Sequence, residues 1–272
     1  MKVQVLVSAM NTDPHALAEK MNLSSDAIII NQCDKKDYKE FTHRGRTVKC
    51  FSYAERGVGK SRNHALGEAD SDICLFSDED IVYEDGYEDS IAAEFARNPK
   101  ADMIVFNITV DEARRTYHID ERKRVRFYNC GRYGAVSFAL RRDRLQESGV
   151  RFSELFGGGA KYSNGEDSLF IKEFMKKGYR VYTAPVTIGR EEAGDSSWFS
   201  GYHEKFFFDR GVLYAFLYGR LATLMALRFL LAHKRVMCRE VPLKEAVSLM
   251  KKGIAEGKVL CRPQRQDVKG MK

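Results

Sequence analysis

Among 272 residues there is one tryptophan and there are five prolines, and the 21 glycines follow no period of three. Collagen-like, proline-rich and low-complexity classes are excluded, and no internal repeat of about 20–50 residues points to a solenoid. The six cysteines stand singly at 33, 50, 74, 130, 238 and 261. No C-x-x-C pair and no histidine pair at ligand spacing is present, so neither a zinc site nor a disulfide framework is indicated. No secretory leader precedes the strand-like VQVLVSA, which leads to the expectation of free thiols in a cytoplasmic protein.

What is present is an ordinary globular composition, 44% hydrophobic and 31% charged, enough to bury a substantial core. The formal charge of +7 conceals an asymmetry: residues 1–110 hold 13 Lys/Arg against 19 Asp/Glu, and 111–272 hold 32 against 19. An acidic front suits a bound cation. A basic back suits phosphates, nucleic acid or an anionic membrane surface.

Short apolar runs (VQVLVSA, AIIIN, TVKCFSY, ICLFS, MIVFNITV) alternate with helix-like stretches (PHALAEKMN, VGKSRNHALGEA). This predicts an α/β fold with a mainly parallel sheet flanked by helices, its chemistry on loops at the strand C-termini. Residues 111–133 are the most charged stretch and read as an irregular insertion whose arginines are solvated. AVSFALR and YRVYTAP read as strands, GEDSLFIKEFMKKG as a helix, and everything from about 202 as helical. Gly211–Ala232 has the length of a membrane span, but Arg220 and Arg228 interrupt it. On a continuous helical wheel Arg220 falls among Leu213, Leu217, Leu224 and Leu231, so the expectation is a helix packed on several sides. The tail 233–272 carries 11 Lys/Arg and four Asp/Glu, a composition that suits anionic headgroups.

Three constellations can carry chemistry. Asp78-Glu79-Asp80 follows the strand ICLFS, where two carboxylates spaced by one residue can hold a divalent cation against a diphosphate. A second D-x-D, Asp70-Ser71-Asp72, lies on the opposite sheet edge, where a turn explains it. ERGVGKSRN opens a helix whose N-terminus, with Lys60 and Arg62, can receive phosphate. It also invites a P-loop reading, against which Ala54 stands where that motif needs glycine. Glu166 and Asp167 begin the helix after a glycine loop, where they serve as caps or, for Asp167, as a general base. Asp34 ends the second strand, where it is either a turn residue or a hydrogen-bond acceptor for a base or ribose.

In this order, SAMN, the Asp34 strand end, RGVGKSRN, LFSDEDIVY and GGGAKYSNGEDSLF resemble glycosyltransferase family 2, enzymes of the GT-A fold, in its bacterial surface-polysaccharide type. The resemblance implies a nucleotide-sugar-binding half at 1–110, an acceptor-binding half at 111–195, and a helical C-terminal region at 196–272 that associates with membrane or oligomerises. It further implies a donor, usually a UDP-sugar, bound by Ser8, Met10, Asp34, Lys60, Arg62 and Asp78. Mn²⁺ or Mg²⁺ would be held by Asp80 with Asp78, and Asp167 would be the base with Glu166 beside it. Gly158, Gly159 and Trp198 would face the sugar or acceptor. The implied reaction is a single inverting displacement onto a glycan or lipid-linked acceptor at the inner face of the plasma membrane, without nucleic acid. IGREEAGDSSWF lacks the histidine with which some relatives complete the metal site. The competing readings are a P-loop-like or nucleotidyl phosphotransferase and a basic nucleic-acid-binding protein.

Overall fold

A computed structural model of the chain describes residues 1–110, 117–192 and 201–261. Arg114, Arg115 and Trp198 lie outside the described residues. The chain divides into two units, one of Met1–Lys161 with Gly165–Ser196 and one of Tyr162–Asn164 with Ser197–Lys272.

The first unit is built on a nine-stranded sheet whose strands lie in the order Asp37–His43 (β3), Arg46–Tyr53 (β4), Asp26–Gln32 (β2), Val3–Met10 (β1), Ile73–Asp78 (β5), Phe138–Arg141 (β8), Met103–Thr109 (β7), Val181–Glu191 (β9) and Ile81–Tyr83 (β6). Strands β1 (Val3–Met10), β2 (Asp26–Gln32), β4 (Arg46–Tyr53) and β5 (Ile73–Asp78) run parallel at its centre. β1, β2 and β5 are apolar on both faces because both are covered, as their unalternating sequences predict. Helices α1 (Pro14–Lys20) and α2 (Val58–Glu68) fall where the sequence puts them. The division at 110/111 falls within one sheet, since β7 (Met103–Thr109) pairs with β8 (Phe138–Arg141) and β9 (Val181–Glu191).

Several elements depart from expectation. β3 (Asp37–His43), β6 (Ile81–Tyr83) and helix α3 (Tyr87–Arg97) arise from stretches too polar or too short to announce themselves. AVSFALR is a 3-10 turn followed by only four strand residues. β9 runs to Glu191; through register shifts opposite Val105–Ile108 it stays paired with β7 as far as Thr109–Arg190, while its other edge pairs with β6. Asn107 secures this corner by exchanging two hydrogen bonds with the Ile119 backbone, at 2.9 and 3.0 Å. Two further helices follow β8: α4 (Arg142–Ser148) and α5 (Glu166–Lys176).

The second unit contains α6 (Glu204–Tyr218), α7 (Ala222–Met237) and α8 (Leu243–Leu260). Glu204–Met237 has the length and apolarity to cross a membrane, but it is not one continuous α-helix. Gly219 has φ +51°, and a 3-10 turn over Gly219–Leu221 shifts the helical phase of α7 relative to α6. The expectation of one helix packed on several sides therefore holds for α6 and fails for α7. α7 buries only the small strip Ala222, Ala226 and Leu230, and leaves Leu224 and Leu231 64% and 60% exposed.

α6 and α8 approach so closely that side chains are excluded between them. A Cβ on Gly253 would lie 2.0 Å from the Phe208 carbonyl oxygen, and one on Gly211 2.3 Å from that of Met250. Gly253→Ala is expected to cost about 1–3 kcal/mol through overpacking. The opposite sign is expected for Gly67→Ala, where a Cβ meets open space on α2: a gain of ~0.4–1 kcal/mol. Melting and urea midpoints of the two variants check the pair.

Candidate active site

The order of the central strands reverses around β1, with β2 on one side and β5 on the other, and clefts in such sheets form at the strand C-termini beside the reversal. Ser8 and Asp78 are register partners there. Ser8 Oγ meets Ser61 Oγ of α2 at 2.9 Å, and the Met10 amide donates to Glu79 at 3.1 Å.

Arg62 of α2 is buried beside these strand ends. Its side chain is 4% exposed and bridges two carboxylates distant in sequence: Nη1 to Glu166 at 2.9 Å, and Nη2 to Asp78 at 3.1 and 3.3 Å. The guanidinium lies 5.3 Å from the centre of the Phe152 ring, which stacks on Phe170 and meets Phe76 edge-on. Asn63 next to it exchanges two hydrogen bonds with the Phe152 backbone, at 2.9 and 2.8 Å. Burial alone would weaken the hold of Arg62 on its proton, but Asp78, Glu166 and Asp167 together outweigh it and raise its pKa. Its charge is thus permanent and is spent on Asp78 and Glu166.

The two acidic residues at the start of α5 are differently placed. Glu166 is buried, taken by Arg62 and by the Gly165 amide at 3.1 Å. Asp167 is half-buried and accepts from the Ser168 amide at 2.9 Å. Desolvation, then the Glu166 charge, push its carboxyl up to about 7 despite Arg62. Glu166 is thereby the structural member of the pair, and Asp167 the one suited to proton transfer near neutrality.

Asp80 is half-buried in the turn after β5, where burial, Asp78 and Glu191 raise it to about 6. Glu191 reaches this place because the bulged β9 pairs with β6, and the Glu192 amide donates to the Asp80 carbonyl at 2.8 Å. Among the described residues no three His, Cys, Asp or Glu side chains are arranged to hold a metal ion. Asp80, raised by the charges of Asp78 and Glu191, does fit a divalent cation that takes its remaining ligands from a diphosphate.

The remaining expected residues fall around this centre. Asp34 is 96% exposed at the end of β2 and pairs with Arg56 at 3.1 Å. Lys60 is half-buried in the first turn of α2. Gly158 and Gly159 pack on the start of α2: the Val58 amide donates to the Gly158 carbonyl at 3.0 Å, and a Cβ on Gly159 would sit 3.2 Å from the Gly57 backbone. That carbonyl occupies the first amide of α2, where a P-loop would receive phosphate, which removes support for the P-loop reading. Arg56, Gln32, whose amide clasps the Gly57 backbone, and Glu191 escaped the sequence reading. The charge pattern of GREE was the available signal for Glu191.

This architecture is a GT-A-like fold, a mixed α/β sheet with flanking helices. Residues 17–150 match the family model described as glycosyl transferase family 2. In structure the chain is similar to S. aureus TarS 1-349 in complex with UDP-GlcNAc, with a TM-score of 0.64 and 16% identity over 94% of this chain and 80% of that one. It is also similar to a mannosyltransferase from Pyrobaculum calidifontis in complex with GDP-Man and Mn²⁺, with a TM-score of 0.51 and 14% identity over 96% and 76%. A sequence search of curated proteins finds no match.

Removing one partner of a buried ion pair costs more than the pair contributes, because the other charge stays desolvated. Arg62→Met is expected to destabilise the protein by about 3–5 kcal/mol. Adding Glu166→Gln should recover part of that loss, and a urea midpoint unchanged by Arg62→Met alone would show that the bridge is not structural.

Proposed function

We propose that this chain is a metal-dependent, inverting glycosyltransferase that moves a sugar, a hexose, from a UDP-sugar to a hydroxyl of a glycan or lipid-linked acceptor. One observation carries the reading: Arg62 joins the carboxylate at the end of β5 to the carboxylate pair opening α5, so the donor-side and acceptor-side acids share one centre. The family match supports the reaction class, and the nucleotide sugars named for the structural neighbours support the donor class.

Asp167 takes the proton of the acceptor hydroxyl as its oxygen attacks the anomeric carbon from the face opposite the diphosphate. The bond from that carbon to the diphosphate oxygen breaks, the electron pair leaves with the nucleoside diphosphate, and the configuration inverts. Asp80 and Asp78 would hold Mn²⁺ or Mg²⁺, which supplies neutralising charge for the leaving diphosphate. Glu166 and Arg62 keep Asp78 and Asp167 at fixed separation, which contributes through positioning. Asp34 accepts from the nucleobase and Lys60 faces the phosphates.

The acceptor is met at the cytoplasmic face of a membrane, against which α7 rests. Leu221, Leu224, Leu227 and Leu231 are exposed, and residues 210–239 contain six Lys/Arg and no Asp or Glu. Apolar side chains among cations are complementary to an anionic bilayer surface. Wild-type protein is expected to sediment with vesicles containing one-third phosphatidylglycerol and not with pure phosphatidylcholine. Leu224→Glu/Leu231→Glu should stay in solution, and sedimentation of that variant at wild-type levels would refute the contact.

A base pushed up to about 7 must lose its proton to work, so activity is expected to rise with pH through about 7 and level off above it. Asp167→Asn should lower turnover by ~10²–10⁴ and abolish this limb. The raised pKa means the folded state holds the proton more tightly than the unfolded chain, so ionisation costs stability as pH rises. The same variant should therefore gain more melting temperature at pH 8 than at pH 5. In calorimetry with UDP, Asp167→Asn should bind as wild type does, whereas Asp80→Ala should lose the manganese-dependent part. Near-normal turnover of Asp167→Asn would remove it from the base role.

A further inference from the structure

In the helical unit, Arg210 has a charge that no carboxylate answers. It stands on α6 four residues after Phe206 and four before Tyr214, so the three side chains share one helix face. Its guanidinium lies over two rings, 5.1 Å from the centre of Phe206 and 5.3 Å from that of Phe229 on α7. Nε is buried without a hydrogen-bond partner, and the guanidinium makes no ion pair among the described residues. Ring faces attract the charge, but the N–H donors still lack an oxygen to receive them. Asp209, the acid next to it in sequence, is buried and taken by the Ser163 amide at 2.9 Å and by Lys205.

Two more donors gather here. The Tyr214 ring lies 5.8 Å from that of Phe229, and its hydroxyl forms no hydrogen bond among the described residues. Burial pushes this hydroxyl up to about 12 while the charges of Arg210 and Arg228 pull it down, so it stays a donor at neutral pH with two guanidinium groups near it. Arg228 is exposed, and α7 carries no Asp or Glu to pair with it. It follows Leu224 by four positions and precedes Leu231 by three, spacings that make neighbours on a helix surface. The donors therefore border the exposed leucines of α7.

We propose that Arg210, Arg228 and Tyr214 receive the phosphate of an anionic phospholipid whose acyl chains lie along Leu224 and Leu231. A phosphate accepts paired N–H groups from a guanidinium and a further hydrogen bond from a phenol, which supplies the acceptors that the protein itself leaves out. A headgroup without an oxyanion would cover Arg210 and keep its donors unmatched, which is unfavourable. Phosphatidylcholine brings its own cation beside the phosphate, and the arginines repel it. The inference rests on the membrane contact proposed above and adds to it a choice of headgroup.

The test measures partition of the full chain onto phosphatidylcholine vesicles containing one-third phosphatidylglycerol, for wild type, Arg210→Lys and Tyr214→Phe. Neither substitution changes the net charge, so an unselective attraction to the bilayer would not register them. Each is expected to lower the partition constant about tenfold or more, with the melting temperature unchanged. Should Arg210→Lys fail to fold, the exposed Arg228→Gln takes its place in a calorimetric titration with monomeric dihexanoyl phosphatidylglycerol, where the same loss is expected. Glycerol phosphate, titrated alongside, should bind about tenfold or more weakly than the short lipid, since it lacks the chains that meet the leucines. The proposal is overturned if any of these variants binds as wild type does, or if glycerol phosphate matches the short lipid, which would mark a site for a soluble phosphate. Wild type that stays off the vesicles yet binds the short lipid would strike the membrane contact and keep the site. Wild type that binds neither would overturn both, so the two failures are distinguishable.

Discussion

A single buried guanidinium sets the geometry of the cleft. Arg62 comes from the first turns of α2, Asp78 from the end of β5 and Glu166 from the start of α5, so one side chain ties three elements that meet nowhere else in sequence. Two carboxylates brought this close without a cation between them would repel, and one would take up a proton. With the cation in place the group carries one net negative charge instead of two, and its members hold fixed positions. The aromatic stack of Phe152 and Phe170 beneath it leaves Arg62 little freedom to turn toward solvent.

That arrangement separates the roles of neighbouring acids. Glu166 is neutralised by Arg62, while Asp167, one residue on, feels the Glu166 charge and its own desolvation more than it feels Arg62. Asp167 is therefore ready to exchange a proton near neutrality, the condition under which a carboxylate can serve as a base there. Asp80 is raised for a related reason, with Asp78 and Glu191 as its crowding neighbours. Crowded acids are costly to the free protein, and a bound cation relieves that cost.

Much of the fold was legible. Unalternating apolar runs marked β1, β2 and β5 because both faces of the sheet are covered there, and the glycine after GEDSLFIKEFMKK marked the end of α5. β3 was not legible, since an edge strand exposed to water carries Tyr38, Lys39 and Glu40 and needs no apolar face. α7 was misread because a helical wheel assumes one continuous phase, and Gly219 interrupts it. The carboxylates at 34, 78, 80 and 167 were found as residue types at telling positions, yet Arg56, the partner of Asp34, and Glu191, the neighbour of Asp80, were not, because partners supplied by the loop before α2 and by β9 are near only after folding.

By itself the sequence determined the class of sheet, the strand ends on which acids stand, and the helix that Asp167 opens, all of which follow from local pattern and propensity. Tertiary structure decided which cations are spent inside the protein and which are left without an anionic partner, and which of two adjacent acids is taken up by Arg62. Electrostatic environment depends on distance in space and on exclusion of water. Neither exists until remote segments have packed together.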